Sequence, residues 1–253
     1  MSKSNTSHQH TFPNEVKYLI SDIDGVLTTD DKKEIAPGIP ERLREIKRHG
    51  VTIILNTLRW ATKYGNIIHG EIANTIEFGI SERGAIQIGK QQEITPLIHD
   101  SQELKEYNTK IEDKLLAMGL SKWAWPYNCV QYYFADNQTC AKLIKQIHQE
   151  DRYIQRDNTF ILEATGQWSI ILTQKGVDKW YGILASIDQN NLKNTIVLWD
   201  DKVDESMFLL PNVYSCNVWE DKTLYANYTS HETWYRGTIK ILDELLTVLD
   251  QRK

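Results

Sequence analysis

The sequence is short of cysteine, of long apolar runs and of positive charge, and each shortage excludes a class of protein. The odd, sparse set Cys129, Cys140 and Cys216 offers no C-x-x-C metal site and suits a reducing, cytoplasmic compartment. No apolar run approaches the roughly 20 residues that cross a bilayer. The net charge of −5 argues against a protein that binds nucleic acid by charge.

The composition is that of an ordinary globular protein. The 253 residues are 41% hydrophobic and 25% charged, enough for one large domain or for a core domain with a smaller insert. The N-terminal segment MSKSNTSHQHTFPNE is polar and lacks the apolar stretch of a secretory signal. We expect residues 1–15 to form a disordered tail.

Short apolar strands alternate with amphipathic helices at both ends of the chain. VKYLISD (16–22) and VTIILNT (51–57) are predicted to be buried strands on either side of a helix within 37–50. Their continuous hydrophobicity is typical of strands covered on both faces, as in a parallel α/β sheet. The same rhythm returns after residue 175, with NTIVLWDD as a strand and WYRGTIKILDELLTVLD as a closing helix.

The pattern changes in the middle of the chain. AIQIGKQQEITPLI is predicted to form a hairpin, and a long helix, several strands and a second helix follow it. This mixture indicates an α+β unit with its own antiparallel sheet. The sequence therefore predicts an α/β core formed by residues 16–83 and 175–253, interrupted by an α+β insert at 84–174.

Polar side chains collect where the predicted parallel strands end. Ligands of open α/β sheets bind beyond the carboxyl ends of the strands, so these side chains are expected to meet. Four or more carboxylates converging on one edge would repel one another without a cation, and oxygen ligands of this kind suit Mg²⁺. The residues are Asp22, Asp24, Asn56, Thr57, Asp200, Asp201 and Asp204.

The D-x-D pair formed by Asp22 and Asp24 is weak evidence by itself. With this content of aspartate, about one such pair is expected by chance. The alternative is a solvated loop in which Asp24 starts a turn. Gly25 favours a site, because glycine permits a tight turn beside a ligand.

Four motifs in order resemble those of the haloacid dehalogenase (HAD) superfamily of phosphohydrolases. They are DIDGVLT, IILNTLR, Lys179 within KGVDKWYGI, and VLWDDKVDESM with acidic residues four apart. ISERGAIQIG also resembles the stretch that leads into a large cap of the Cof type, class C2B. The resemblance implies a Rossmann-like, parallel-sheet HAD core with an inserted α+β cap domain at 84–174.

The resemblance also implies roles for individual residues. Asp22 is expected to be the nucleophile that forms an aspartyl-phosphate, and Asp24 the general acid and base. Mg²⁺ is expected on Asp22, Asp200 and the backbone carbonyl of Asp24. Thr57 and Lys179 would hold the phosphoryl group, and the supporting metal or phosphate residues would be Gly25, Asn56, Asp201 and Asp204.

Several of these residues have a second reading. Thr57 is also a candidate helix N-cap, because a helical pattern follows it. Lys175 competes with Lys179, although the spacing of the resemblance prefers Lys179, whose charge opposes the helix macrodipole in a predicted first turn. Asp204 is a candidate N-cap of the short helix ESMFLL.

Contacts to the substrate are assigned to a further group of residues. Arg59 and Arg83 are predicted to contact phosphate or the substrate tail, with a surface ion pair as the alternative. Trp123, Trp125 and Trp168 are candidates to stack on a sugar or base, although packing in the cap core is the favoured interpretation because aromatic residues dominate cores. These two arginines and three tryptophans complete the predicted site.

The function expected from the resemblance is a Mg²⁺-dependent phosphatase that acts on a small phosphorylated metabolite, such as a sugar phosphate. Two alternatives stay open: a phosphomutase-type phosphotransferase on the same scaffold, and a weakly active binding or regulatory protein. The second arises because the chain departs from the family at Leu58, Trp199 and Val203. Neither a nucleic-acid nor a membrane partner is expected.

Overall fold

The computed structural model describes residues 12–31, 34–59, 61, 64, 68, 70–98, 102–123, 130–151, 153–156, 159–165, 168–201, 204–219 and 226–252. Within these residues the strands are β1 (Tyr18–Ser21), β2 (Thr52–Asn56), β3 (Phe78–Ser81), β4 (Ile86–Ile88), β5 (Ile94–Pro96), β6 (Leu120–Trp123), β7 (Val130–Ala135), β8 (Tyr153–Arg156), β9 (Phe160–Thr165), β10 (Ser169–Gln174), β11 (Thr195–Trp199), β12 (Tyr214–Asn217) and β13 (Tyr228–Thr229).

The helices of the same described residues alternate with these strands. They are α1 (Ile39–Arg48), α2 (Gly70–Thr75), α3 (Gln102–Ala117), α4 (Gln138–Asp151), α5 (Lys179–Ser186), α6 (Glu205–Phe208) and α7 (Tyr235–Asp250), with 3₁₀ turns at Glu82–Gly84 and Gln189–Asn194. None of these helices has the length and apolar character needed to cross a membrane. Proline at the start of α1 and glycine after its end bound that helix as its sequence predicts.

The strands form two sheets. The larger has the order β13-β12-β11-β1-β2-β3-β4-β5, and the smaller has the order β6-β7-β10-β9-β8. In the larger sheet β1 lies between β11 and β2 and is parallel to both, so that Ser21 pairs with Leu198 on one side and with Leu55 on the other. Leu19 and Ile20 have no exposed surface although they point to opposite faces. The predicted α/β class with a parallel-sheet core is therefore confirmed.

The hairpin formed by β4 and β5 joins the larger sheet. It continues from β3 by antiparallel pairing, with Gly79 opposite Ile88. The sequence pattern grouped this hairpin with the strands of the insert, whereas in the structure it pairs with the larger sheet. Alternating apolar residues predict a hairpin but do not reveal which sheet it joins, because that depends on the partner strand. The predicted domain boundaries themselves stay a prediction.

The smaller sheet is antiparallel and has two different faces. Tyr133, Ile170 and Leu172 pack with residues of α3 and α4 in one apolar cluster. Tyr132 and Ile171, which point the other way along the same strands, belong to the main core together with residues of the larger sheet. The smaller sheet is thus covered by helices on one side and lies against the rest of the protein on the other.

The N-terminal segment enters the core earlier than expected. Phe12 falls within the predicted disordered tail, yet it is 4% exposed. Its ring lies 5.2 Å from that of Tyr214, centroid to centroid. The aromatic ring has an apolar partner beside the outer strands of the larger sheet, so Phe12 belongs to the core.

Candidate active site

Asp22 follows β1 directly and lies at the carboxyl end of the strand. Its backbone N–H donates to the carbonyl of Leu198 at 3.1 Å, which continues the pairing with β11. Its Oδ1 accepts a hydrogen bond from the N–H of Ile23 at 2.7 Å. Its Oδ2 lies 3.0 Å from Nζ of Lys179. Both carboxylate oxygens are therefore held in place, in a residue that is only 8% exposed.

Lys179 is the first residue of α5 and is 2% exposed. The helix start is fixed by Asp178, whose Oδ1 accepts from the N–H groups of Trp180 at 3.1 Å and Tyr181 at 3.2 Å. From this position Nζ also reaches Oδ1 of Asp204 at 2.5 Å. One buried ammonium group thus bridges two carboxylates from different strand ends. Lys175, the competing lysine, is exposed.

Three carboxylates converge beside this lysine. Asp22, Asp200 and Asp204 each place one carboxylate oxygen within 4.8 Å of the others. Asp200 also lies against Gly25, where a Cβ atom would stand 1.9 Å from its Oδ2. Gly25 has a φ of 77°, a conformation that L side chains rarely adopt. The turn after β1 therefore needs glycine both for its backbone and for the space that Asp200 takes.

The charges in this cluster do not balance. Burial raises the pKa of Asp22 to about 7; Lys179 opposes this rise, while Asp204 and Asp24 add to it. Burial is also the main reason that the pKa values of Asp200 and Asp204 are raised. For Lys179, burial lowers the pKa, but the two carboxylates outweigh it and hold the value above its ordinary range. Among the described residues, these three carboxylates thus share one cation, Lys179.

The donor set fits a hard divalent cation. All three side chains offer carboxylate oxygens, the ligands that Mg²⁺ prefers. Oδ2 of Asp204 is buried and has no hydrogen-bond partner among the described residues. A bound cation would offset the repulsion among the carboxylates, which adds to the effect of burial on their pKa values. The residues present therefore fit Mg²⁺.

Asp24 lies outside the three-carboxylate cluster and pairs with an arginine. Arg59 forks onto it, with Nε donating to Oδ2 at 2.8 Å and Nη2 donating to Oδ1 at 2.6 Å. Thr57 is 1% exposed and orients the same loop, because its hydroxyl accepts from the N–H of Arg59 at 3.1 Å. Arg59 therefore forms an ion pair, as the alternative hypothesis states, and its partner is Asp24, a predicted site residue.

Asn56 and Asp201 lie outside the carboxylate cluster. Nδ2 of Asn56 donates to the carbonyl of Lys179 at 2.7 Å and to Sδ of Met207 at 3.2 Å. The amide nitrogen therefore supports α5 and α6 from inside the protein. Asp201 is exposed, and its carbonyl accepts from the N–H of Asp204 at 3.0 Å. Neither side chain belongs to the carboxylate cluster.

The predicted substrate contacts are spread over both sheets. Arg83 is buried and paired with Glu163 of β9, so its ion pair is not a surface one. Trp168 is 46% exposed at the turn before β10, and packing in a cap core was therefore the wrong alternative for it. The backbone of Trp123 ends β6 opposite Tyr132. Trp125 lies outside the described residues, as does Val203 of the fourth motif.

Two residues at this site were missed by the sequence analysis. Tyr132 donates from its hydroxyl to the carbonyl of Leu58 at 3.4 Å, which brings the smaller sheet to the loop of Thr57 and Arg59. Glu163 is wholly buried in β9. The signal for Glu163 was available, since one acidic residue interrupts the apolar run FILEAT. A buried carboxylate of this kind needs a cationic partner.

The fold is shared with solved structures, although no protein-family model and no curated protein matches the sequence. A phosphatase of the haloalkanoate (HAD) enzyme superfamily from Bacteroides thetaiotaomicron is 10% identical, with a TM-score of 0.68 over 98% of both chains. A HAD/COF-like hydrolase from Plasmodium vivax is 16% identical, with a TM-score of 0.67 over 94% of this chain and 97% of its own. A haloacid dehalogenase-like hydrolase from B. subtilis is 14% identical, with a TM-score of 0.66 over 91% of this chain and 100% of its own.

Proposed function

Because the chain has the fold of the Cof-like haloacid dehalogenase hydrolases, we propose that it is a Mg²⁺-dependent phosphatase of small phosphate esters. The observation that carries the proposal is the buried cluster of Asp22, Asp200 and Asp204 with Lys179 between two of the carboxylates. An aspartate with both oxygens fixed, in a site with an excess of negative charge, suits covalent phosphoryl transfer assisted by a cation.

Asp22 is the proposed nucleophile. Its carboxylate attacks phosphorus, and the bond between phosphorus and the leaving oxygen breaks to give an aspartyl-phosphate. The hydrogen bond from Ile23 N–H and the contact with Lys179 fix the direction of the two oxygens. Burial limits the solvation of the anion, so that its charge must be met by fixed positive groups.

Mg²⁺ would be held by Asp22, Asp200 and the backbone carbonyl of Asp24, with Asp204 in support, and it would supply positive charge next to the phosphoryl oxygens. Lys179 supplies the protein's own positive charge at the same place. The hydroxyl of Thr57 would donate to a phosphoryl oxygen, since its backbone N–H is already bonded to the carbonyl of Ile80 at 2.9 Å.

Asp24 is the proposed acid and base. In the first half-reaction its proton passes to the leaving oxygen, which departs as an alcohol. In the second half-reaction its carboxylate takes a proton from water, and the water oxygen attacks phosphorus. This attack releases inorganic phosphate and restores the carboxylate of Asp22. Arg59 holds Asp24 by two hydrogen bonds, so that it stays apart from the cation-binding carboxylates.

The substrate is proposed to be a small phosphorylated metabolite, such as a sugar phosphate. The smaller sheet meets the site at Leu58, between the loop residues Thr57 and Arg59. A leaving group that departs on the side of Asp24 would therefore face residues of both sheets. The smaller sheet is then the part of the protein that selects the leaving group.

Hydrolysis of an aryl phosphate by the purified protein tests the proposal. We expect turnover with Mg²⁺, none with a chelator, and none in Asp22→Asn. The matched control is Asp243→Asn, which makes the same change at a half-exposed ion pair with Arg42 and is expected to keep full activity. Turnover that persists in Asp22→Asn would contradict the assignment. Mg²⁺ binding without turnover would instead favour a binding role.

A further inference from the structure

Arg83 and Glu163 form a buried ion pair that joins the two sheets. Arg83 lies in the 3₁₀ turn after β3, and Glu163 lies in the middle of β9 in the smaller sheet. Their side chains are 8% and 1% exposed. The backbone of Arg83 is left-handed, with a φ of 62°. A buried charge pair with little access to water has a large cost if one partner is removed.

The turn that carries Arg83 packs directly on the start of α5. A Cβ atom on Gly84 would stand 2.0 Å from the carbonyl oxygen of Asp178, and one on Gly182 would stand 2.7 Å from Cα of Gly84. Backbone lies against backbone at both points, and the side chain nearest to Gly182 is Ile80, whose Cγ2 would stand 2.5 Å from the added Cβ. A displacement of the turn is therefore passed to the first turn of α5.

Asp178 caps the helix, and its pKa responds to both charges of the ion pair. Burial raises its pKa, and its hydrogen bond with Tyr181 lowers it, as does the charge of Arg83; the charge of Glu163 acts in the opposite direction. Arg83 and Glu163 therefore act on the carboxylate that caps the N–H groups of Trp180 and Tyr181. The next residue in the chain is Lys179.

We propose that Arg83 is a positioning residue. Through its ion pair with Glu163, it couples the position of the smaller sheet to the orientation of Lys179. The coupling passes through Gly84 and Asp178 to the first turn of α5. It rests on the proposed function in one respect, since Lys179 is there the cation that meets the phosphoryl group. Neither Arg83 nor Glu163 needs to touch the substrate for this role.

Removal of the Glu163 charge tests the coupling. In Glu163→Gln, Arg83 keeps its charge without its partner, and the carboxylate of Asp178 is an anion on which that charge already acts. Asp178 drawn toward Arg83 would release the N–H groups of Trp180 and Tyr181. We expect the exchange of these two amides with solvent deuterium to become about tenfold faster, on the scale of a lost helix cap.

The same variant has a kinetic expectation. A misplaced Lys179 destabilises the transition state more than it destabilises the enzyme–substrate complex. With an aryl phosphate, kcat should therefore fall about tenfold while KM changes less than about threefold. Glu163→Asp, which keeps the charge, should recover part of both effects. A purely structural role would lower stability in both variants without this division between kcat and KM.

The matched control is Glu112→Gln. Glu112 also pairs with a cation, Lys122, at 2.6 Å in the part of the protein around the smaller sheet, but away from α5. We expect no change in the exchange of the Trp180 and Tyr181 amides. Equal exchange in wild type and Glu163→Gln, or equal acceleration in Glu112→Gln, would overturn the proposal.

Two measures keep the result decisive. The exchange measurement needs no turnover, so a protein without phosphatase activity would refute the proposed function and still test this coupling. If Glu163→Gln does not fold, Arg83→Lys keeps the charge and loses the planar fork. Faster exchange at Trp180 and Tyr181 in that variant supports the coupling, and unchanged exchange overturns it.

Discussion

The two sheets bury charge in different places. In the larger sheet the buried carboxylates Asp22 and Asp204 follow β1 and β11, beyond the last paired residues. In the smaller sheet Glu163 lies within β9 and pairs in register with Ile171. A side chain beyond a strand end can face a ligand, whereas one within a strand faces whatever packs on the sheet. We therefore propose that the first kind serves a ligand site and that the second joins parts of the protein.

Loss of Lys179, the protein cation beside the strand-end carboxylates, should have the largest effect. Lys179→Met leaves two buried carboxylates without their partner, so we expect the free energy of unfolding without metal to fall by about 3–5 kcal/mol. Activity should fall by about 10² to 10³. Added Mg²⁺ should restore part of the stability but not the activity. Urea unfolding with and without Mg²⁺ measures the stability, and turnover of an aryl phosphate measures the activity.

The control for this variant lies in the smaller sheet. Lys122 pairs with Glu112, but the two side chains are 32% and 28% exposed. Solvent screens such a pair, so Lys122→Met should cost less than about 1 kcal/mol. Similar losses in the two variants would contradict the distinction between a charged ligand site and an ordinary ion pair.

The strand-end cluster also predicts how stability depends on pH. The pKa of Asp22 rises from an ordinary value of 3.8 to about 7, so the folded protein binds this proton more tightly than the unfolded chain does. Without metal, the free energy of unfolding should therefore fall as pH rises from about 4 to about 7, by an amount on the order of 4 kcal/mol at most for this group. Asp200 and Asp204 shift in the same direction.

Mg²⁺ should reverse this dependence, because it binds the ionised carboxylates and competes with protons. Thermal unfolding across the pH range, with Mg²⁺ and with a chelator, makes the comparison. A metal-free protein whose stability instead rises between pH 4 and 7 would show that these carboxylates are already neutralised by groups of the protein.

The strand-end carboxylates were predictable because each one interrupts or follows an apolar run. The same reasoning predicted the parallel strands of the larger sheet and the position of Lys179 at a helix start. Two contacts were not predicted. The ion pair between Arg59 and Asp24 joins residues 35 apart in the chain, and the hydrogen bond from Asn56 to the carbonyl of Lys179 joins residues 123 apart. Such contacts depend on tertiary packing, which local sequence patterns do not reveal.

Gly25 offers a test that separates backbone strain from the metal site. Gly25→Ala and Gly50→Ala both place a side chain at a positive φ, 77° and 83°, and should each cost about 1 kcal/mol of stability. At Gly50 nothing lies within 4 Å of the new methyl group, whereas at Gly25 it would displace Asp200. Only Gly25→Ala should therefore weaken Mg²⁺ binding, which calorimetric titration measures. Equal affinities in the two variants would remove Asp200 from the metal site.

The smallest expected effect concerns the arginine that holds Asp24. Arg59→Lys keeps the charge but loses the two-pronged contact, so Asp24 should lose orientation and kcat should fall about tenfold, with little change in stability. Arg42→Lys is the matched control, because Arg42 forks onto Asp243 in the same way, at 2.7 and 2.9 Å, on the exposed surface. That variant should keep its kcat. If both variants keep kcat, the contact of Arg59 with Asp24 serves only to pack the loop. The pair of Asp24 and Arg59 would then be an ordinary ion pair, distinct from the carboxylates proposed to bind the metal.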